Sequence, residues 1–194
     1  YHYPVWIRLW HFVNAICIIL LILTGISMQY SSPQYPVIPF DVSVSLHNVF
    51  GILLTLSYIG FFTGNLTSSN GKHYKIQFKG LWRRIKKQFK YYLTGIFRKK
   101  ESPFPVNEDR KFNPLQRFTY FCVMYICFPV IVVTGVALLF PEIIIDQVFG
   151  FSGLFLTAFL HTIIGFIISL FLIVHIYFCT FGSTTFSNFK TIIN

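Results

Sequence analysis

Residues 153–181 read GLFLTAFLHTIIGFIISLFLIVHIYFCTF, a run with no charged side chain and two histidines, His161 and His175. A stretch of roughly 20 apolar residues crosses a hydrocarbon core of about 30 Å, so this segment reads as a membrane span. Three others qualify, near 10–29, 43–65 and 116–140. The whole chain has 194 residues, 54% hydrophobic and 11% charged, where a soluble domain carries about a quarter charged residues. These features predict an all-α, four-helix transmembrane bundle in which residues 1–194 form a single transmembrane domain.

Charge orients the spans. Of the 16 Lys and Arg residues, 13 lie between Lys72 and Lys111. The other three, Arg8, Arg117 and Lys190, fall on the same side once four spans alternate. The opposite loops, 30–42 and 141–152, carry only Asp41, Glu142 and Asp146. The positive-inside rule therefore places the N-terminus, the loop at about 66–115 and the C-terminus in the cytoplasm. The net charge of +10 reads as attraction to anionic headgroups, and nucleic acid is not an expected partner. Cys17, Cys122, Cys127 and Cys179 all lie in apolar spans, as small packing residues rather than a disulfide framework. No Cys-x-x-Cys-His occurs, so covalent c-type haem is excluded. The first span is too long for a signal peptide and lacks a small-residue cleavage site.

Prolines and periodicity mark the connections. Tyr3-Pro4 precedes the first helix, and Pro33, Pro36 and Pro39 impose an extended outer loop. Between the second and third spans, Phe78, Leu81, Trp82, Ile85, Phe89, Tyr92, Leu93 and Ile96 recur at helical spacing among lysines and arginines. That pattern predicts a basic amphipathic helix in the headgroup plane. Asn113-Pro114-Leu115-Gln116 opens the third span, and Pro129 inside it predicts a kink. Tyr3, Trp6 and Trp10 read as an interfacial aromatic belt.

The histidines carry the chemistry, because ionisable groups inside a bilayer are costly. Alternating spans put His47 and His161 near the outer face and His11 and His175 near the inner face. His161 and His175 are 14 residues apart, close to four full turns, so they share one helix face at depths separated by about 21 Å. Two neutral imidazoles at each of two levels match the axial ligands of two six-coordinate haems b. Glycines would let a flat macrocycle approach the backbone: Gly51 and Gly165 each follow a histidine by one turn, and Gly25 follows His11 by 14 residues. Arg8, one turn before His11, is placed to pair with a propionate. His2 and His73 have no partner level and read as surface residues.

With these residues, the chain resembles the di-haem cytochrome b subunits of respiratory formate dehydrogenases, nickel-iron hydrogenases and thiosulfate reductases. The resemblance rests on Trp10-His11-Phe12, His47, Asn113-Pro114-Leu115-Gln116-Arg117 and the His161/His175 pair. It implies a multi-pass protein of the bacterial inner membrane, with inner haem on His11 and His175 and outer haem on His47 and His161. It also implies menaquinone or ubiquinone exchange beside the inner haem, with Asn113 and Gln116 as quinone contacts near His175, although both also suit a helix cap. The implied partner is a periplasmic-side redox subunit, iron-sulfur, multihaem or catalytic, in a hetero-oligomeric complex. Such a chain performs no substrate chemistry beyond the quinone couple. Two rival readings are a cofactor-free membrane anchor and a stand-alone transmembrane haem reductase.

Overall fold

The computed structural model describes residues 4–30, 32, 37–98, 100–105 and 111–180. His2, Tyr3, Pro33, Pro36, Lys190 and the end of the fourth span at 181 lie outside them. The described residues are all-α apart from one short hairpin, and among them four helices are long and apolar enough to cross a membrane: Val5–Tyr30, Phe40–Thr67, Pro114–Leu139 and Gly153–Cys179. In chain order the helices are α1 (Val5–Tyr30), α2 (Phe40–Thr67), α3 (Leu81–Lys90), α4 (Pro114–Cys122), α5 (Phe128–Leu139) and α6 (Gly153–Cys179). By contacts the described residues form two compact units, one within 4–62 and 128–180 and the other within 63–127.

In the first unit polar side chains share the interior with apolar ones such as Phe61 and Phe128, and many large apolar side chains face outward. Its buried side chains include Asn14, Thr24, Ser27, Ser43 and Thr134, whereas Leu9, Phe12, Ile16, Leu23, Phe159 and Phe166 are exposed. Lipid tails are as apolar as leucine, so membrane helices turn small and polar residues towards one another and aliphatic ones outward. On α1 the buried positions Ile7, Asn14, Cys17, Thr24 and Ser27 advance by seven, three, seven and three, which is one helix face. That face meets α2: Trp10 stacks on Phe61 at 4.2 Å and donates from Nε1 to the Ser57 carbonyl at 3.1 Å. Asn14 Nδ2 donates to Ser57 Oγ at 2.8 Å. Trp10 is thus a helix-helix clamp. At the other end of α1, Ser27 Oγ donates to the Ile38 carbonyl and accepts from its N–H, fastening the turn into α2.

Between α5 and α6, strands β1 (Gln147–Val148) and β2 (Phe151–Ser152) form a two-residue hairpin. Its turn residues Phe149 and Gly150 both have positive φ, 51° and 80°, the pattern of the primed turns that match strand twist. Ser152 then caps α6 by accepting from the Phe155 N–H.

The second unit packs around polar knots. Ser68 caps a 3-10 turn, Ser69–Tyr74, that follows α2. Asn70 Nδ2 donates to Asn65 Oδ1 at 2.7 Å, and Asn65 Nδ2 to the Tyr125 hydroxyl at 3.1 Å. The expected surface position of His73 is corrected: the side chain is only 5% exposed, because this turn folds its own residues inward. Burial first, then the charges of Lys111, Lys72 and Arg117, hold its imidazole below its ordinary range.

α3 is amphipathic, as the sequence predicts. Ile85 and Gln88 are buried, whereas Trp82 is mostly exposed, its ring 6.1 Å from that of Phe118. Phe89 on the helix, Phe78 before it and Leu93 after it are exposed among the lysines and arginines, a pattern suited to the headgroup plane. The third span is helical on both sides of a π turn, Val123–Cys127. Pro129 has no N–H for the carbonyl four residues back, so the interruption expected there takes the form of this widened turn.

Candidate functional site

The four intramembrane histidines meet two by two, all within the first unit. His47 on α2 faces His161 on α6 with ring centroids 6.3 Å apart and planes inclined at 65°. His11 on α1 faces His175 on α6 at 6.1 Å and 56°. An imidazole nitrogen binds a metal ion at about 2.0–2.1 Å and lies roughly 1.1 Å from its ring centre, so two rings on opposite sides of one ion have centres about 6.3 Å apart. A direct N–H···N hydrogen bond would bring the centres to about 5 Å. Both pairs match the first spacing.

The ligand inventory narrows the occupant. Among the described residues no group of three or more His, Cys, Asp or Glu is assembled, so a zinc-type site with its protein-only shell is not built from them. Two facing imidazoles would instead suit a metal carried in a planar macrocycle. The backbone is open to one at Gly51, where an added Cβ would meet nothing within 4 Å. At Gly165 the nearest atom would be Ile131 Cδ1 at 3.9 Å.

The outer pair is held by matching contacts on two different helices. Thr24 Oγ1 on α1 is 2.9 Å from His47 Nδ1, and Thr134 Oγ1 on α5 is 2.9 Å from His161 Nδ1. Each threonine also donates to the carbonyl four residues back, Leu20 or Val130, at 2.7 Å. The next residue in each case is a glycine against the same ring. A Cβ on Gly25 would lie 3.6 Å from His47 Cε1, and one on Gly135 only 3.2 Å from His161 Cε1. Gly25 therefore sits at the level of His47, the histidine level other than that of His11, as its 14-residue offset from His11 leads one to expect. In the other pair His175 stacks on Phe171 with centroids 5.6 Å apart, and Cys179 Sγ is 3.9 Å from its Nε2.

Thr24, Thr134 and Gly135 went unread in the sequence. The available signal was the resemblance between residues 20–25, LLILTG, and residues 130–135, VIVVTG. Arg8 lies on α1 one turn before His11, half-buried. Asn113 and Gln116 belong to the second unit, where they close a full capping box on α4: Asn113 Oδ1 accepts from the Gln116 N–H at 3.0 Å, and the Asn113 N–H donates to Gln116 Oε1 at 3.2 Å. Asn113 Nδ2 also donates to the Tyr92 hydroxyl at 2.7 Å.

Comparison with known proteins meets this geometry from outside. The family model of prokaryotic cytochrome b561 matches residues 2–192. The chain belongs to that family. It is also 35% identical to a protein of Escherichia coli (strain K12) named "Putative cytochrome YdhU", over all of this chain and 73% of that one. As a prokaryotic cytochrome b561, the chain is a haem-binding, multi-pass electron-transport protein of the bacterial inner membrane. Its membership and the paired histidines agree in kind, because a b-type cytochrome holds its haem through side chains alone.

Proposed function

We propose that this cytochrome carries two haems b, one between His47 and His161 and one between His11 and His175, and passes electrons across the membrane between a quinone pool and a periplasmic-side partner. The observation that carries the proposal is the 6.3 Å and 6.1 Å spacing of the two facing pairs. Haem iron supplies reversible one-electron chemistry when bound, and six-coordination by two imidazoles suits transfer rather than substrate binding. His161 and His175 lie on one helix at two depths, which makes the pairs successive stations rather than one cluster. Gly51 and Gly165 give a macrocycle access to the backbone, whereas Gly25, expected to do the same, seats the His47 ring instead, and Arg8 is the candidate partner for an inner propionate.

The resemblance to di-haem subunits of formate dehydrogenases, hydrogenases and thiosulfate reductases supports quinone exchange at the cytoplasmic side. Asn113 and Gln116 are the proposed contacts. The cap uses Asn113 Oδ1 and Gln116 Oε1 and Tyr92 takes one Asn113 Nδ2–H, which leaves the second Nδ2–H of Asn113 and the Gln116 NH2 as donors for a quinone carbonyl. On the outer side Ile143, Ile145 and Phe149 are exposed and offer an apolar surface to a redox subunit, so the chain acts within a hetero-oligomeric complex. Residues 1–194 serve this role as one functional domain, with both termini in the cytoplasm.

The test is reduction by quinol. In proteoliposomes, menaquinol or ubiquinol should reduce both haems as dithionite does; a protein whose haems respond to dithionite and to neither quinol would overturn the quinone link.

A further inference from the structure

The two threonine-glycine steps carry more than packing. A threonine hydroxyl has one proton. Thr24 Oγ1 lies 2.7 Å from the Leu20 carbonyl oxygen and Thr134 Oγ1 2.7 Å from that of Val130, acceptors that offer no hydrogen in return. With that proton committed, the 2.9 Å contact to histidine Nδ1 is a hydrogen bond only if the ring donates Nδ1–H to the threonine oxygen. The chain of bonds therefore runs from ring to hydroxyl to carbonyl, and it leaves Nε2 of each outer histidine deprotonated. The glycine that follows seats Cε1 of the same ring, which fixes the ring's position as well as its tautomer.

We propose that Thr24 and Thr134 are positioning residues for the outer haem: they set the tautomer and rotation of His47 and His161 and, by accepting from Nδ1–H, strengthen both as donors to ferric iron. The device is built twice, by LLILTG on α1 acting on α2 and by VIVVTG on α5 acting on α6. Ligating histidines characteristically donate their second N–H to such an outer partner, which raises ligand basicity. A more basic ligand favours the oxidised metal, so the threonines hold the outer midpoint potential down.

This inference rests on the di-haem reading, and the experiment separates the two. Spectroelectrochemical titration of the purified wild-type chain should resolve two one-electron components, and the outer one is that lost in His161→Ala. Thr24→Val and Thr134→Val, nearly isosteric, should each raise the outer midpoint by about threefold in redox equilibrium constant, roughly 30 mV at about 59 mV per tenfold. The inner midpoint should stay put. Thr24→Ser and Thr134→Ser, which keep the hydroxyl, should retain the wild-type value. Where valine disturbs packing, Thr24→Ala and Thr134→Ala remove the hydroxyl without added bulk and must shift the same component. Unchanged outer midpoints in the valine and alanine variants, with both haems present, would overturn the threonine proposal and leave the di-haem reading standing. A wild-type chain that binds no haem would overturn both.

Discussion

At the residue scale the site depends on four side chains whose losses are separable. His161→Ala should remove the outer haem and leave the inner one spectrally present, and His175→Ala should do the reverse; reduced-minus-oxidised spectra of the purified variants measure both, and loss of neither haem would break the assignment. Gly135→Val is a steric counterpart. Even a methyl at that position would stand 3.2 Å from His161 Cε1, so the branched side chain should displace the ring and reduce outer-haem occupancy, as read by haem content per chain. His73 gives a pH signature. Its folded imidazole is held below the ordinary value, so the unfolded chain binds more protons as pH falls. Its contribution to stability is complete above about pH 6.5 and is lost as pH drops towards the lowered folded value. Thermal midpoints in detergent at pH 7.5 and 5.5 should therefore differ less in His73→Gln than in the wild type. The sequence exposed His11, His47, His161 and His175 because ionisable residues are rare in apolar spans and two of them fall on one face. It hid Thr24 and Thr134, since threonine and glycine in a membrane helix are ordinary packing residues until the facing ring is known. It also misplaced His73, whose burial comes from a turn that periodicity does not reveal.

At the element scale, helix ends and interruptions were legible in their causes. Pro4 and Pro39 stand just before α1 and α2, and Pro114 is the first residue of α4. Pro129 marked a break in the third span, although a proline alone does not specify that the adjustment is a π turn over Val123–Cys127. The Asn113-Gln116 pair was readable both as a cap and as a quinone contact. Asn113→Ala removes the cap and should cost about 1 kcal/mol, seen as a lower thermal midpoint in detergent. Asn113→Ser restores a cap without the amide, so recovered stability together with impaired reduction by quinol would assign the amide to the quinone. Full quinol reduction in the serine variant would restrict Asn113 to the cap.

For the whole molecule, the burial of serine, threonine and asparagine beneath exposed leucine, isoleucine and phenylalanine agrees with the composition: the bilayer is the solvent. The distribution of Lys and Arg adds the orientation, and reporter fusions after Asn194 and within residues 66–80 should both report the cytoplasm, while a fusion near Phe149 should report the periplasm. Hydropathy and the histidine levels together imply the wire, but neither supplies the distance between facing rings, which depends on how four helices pack. The most direct measurement is therefore a pyridine haemochrome assay with a dithionite-reduced difference spectrum on the purified chain. Two haems b per chain is the predicted result; a chain without haem, or with only one, would contradict the paired-histidine account.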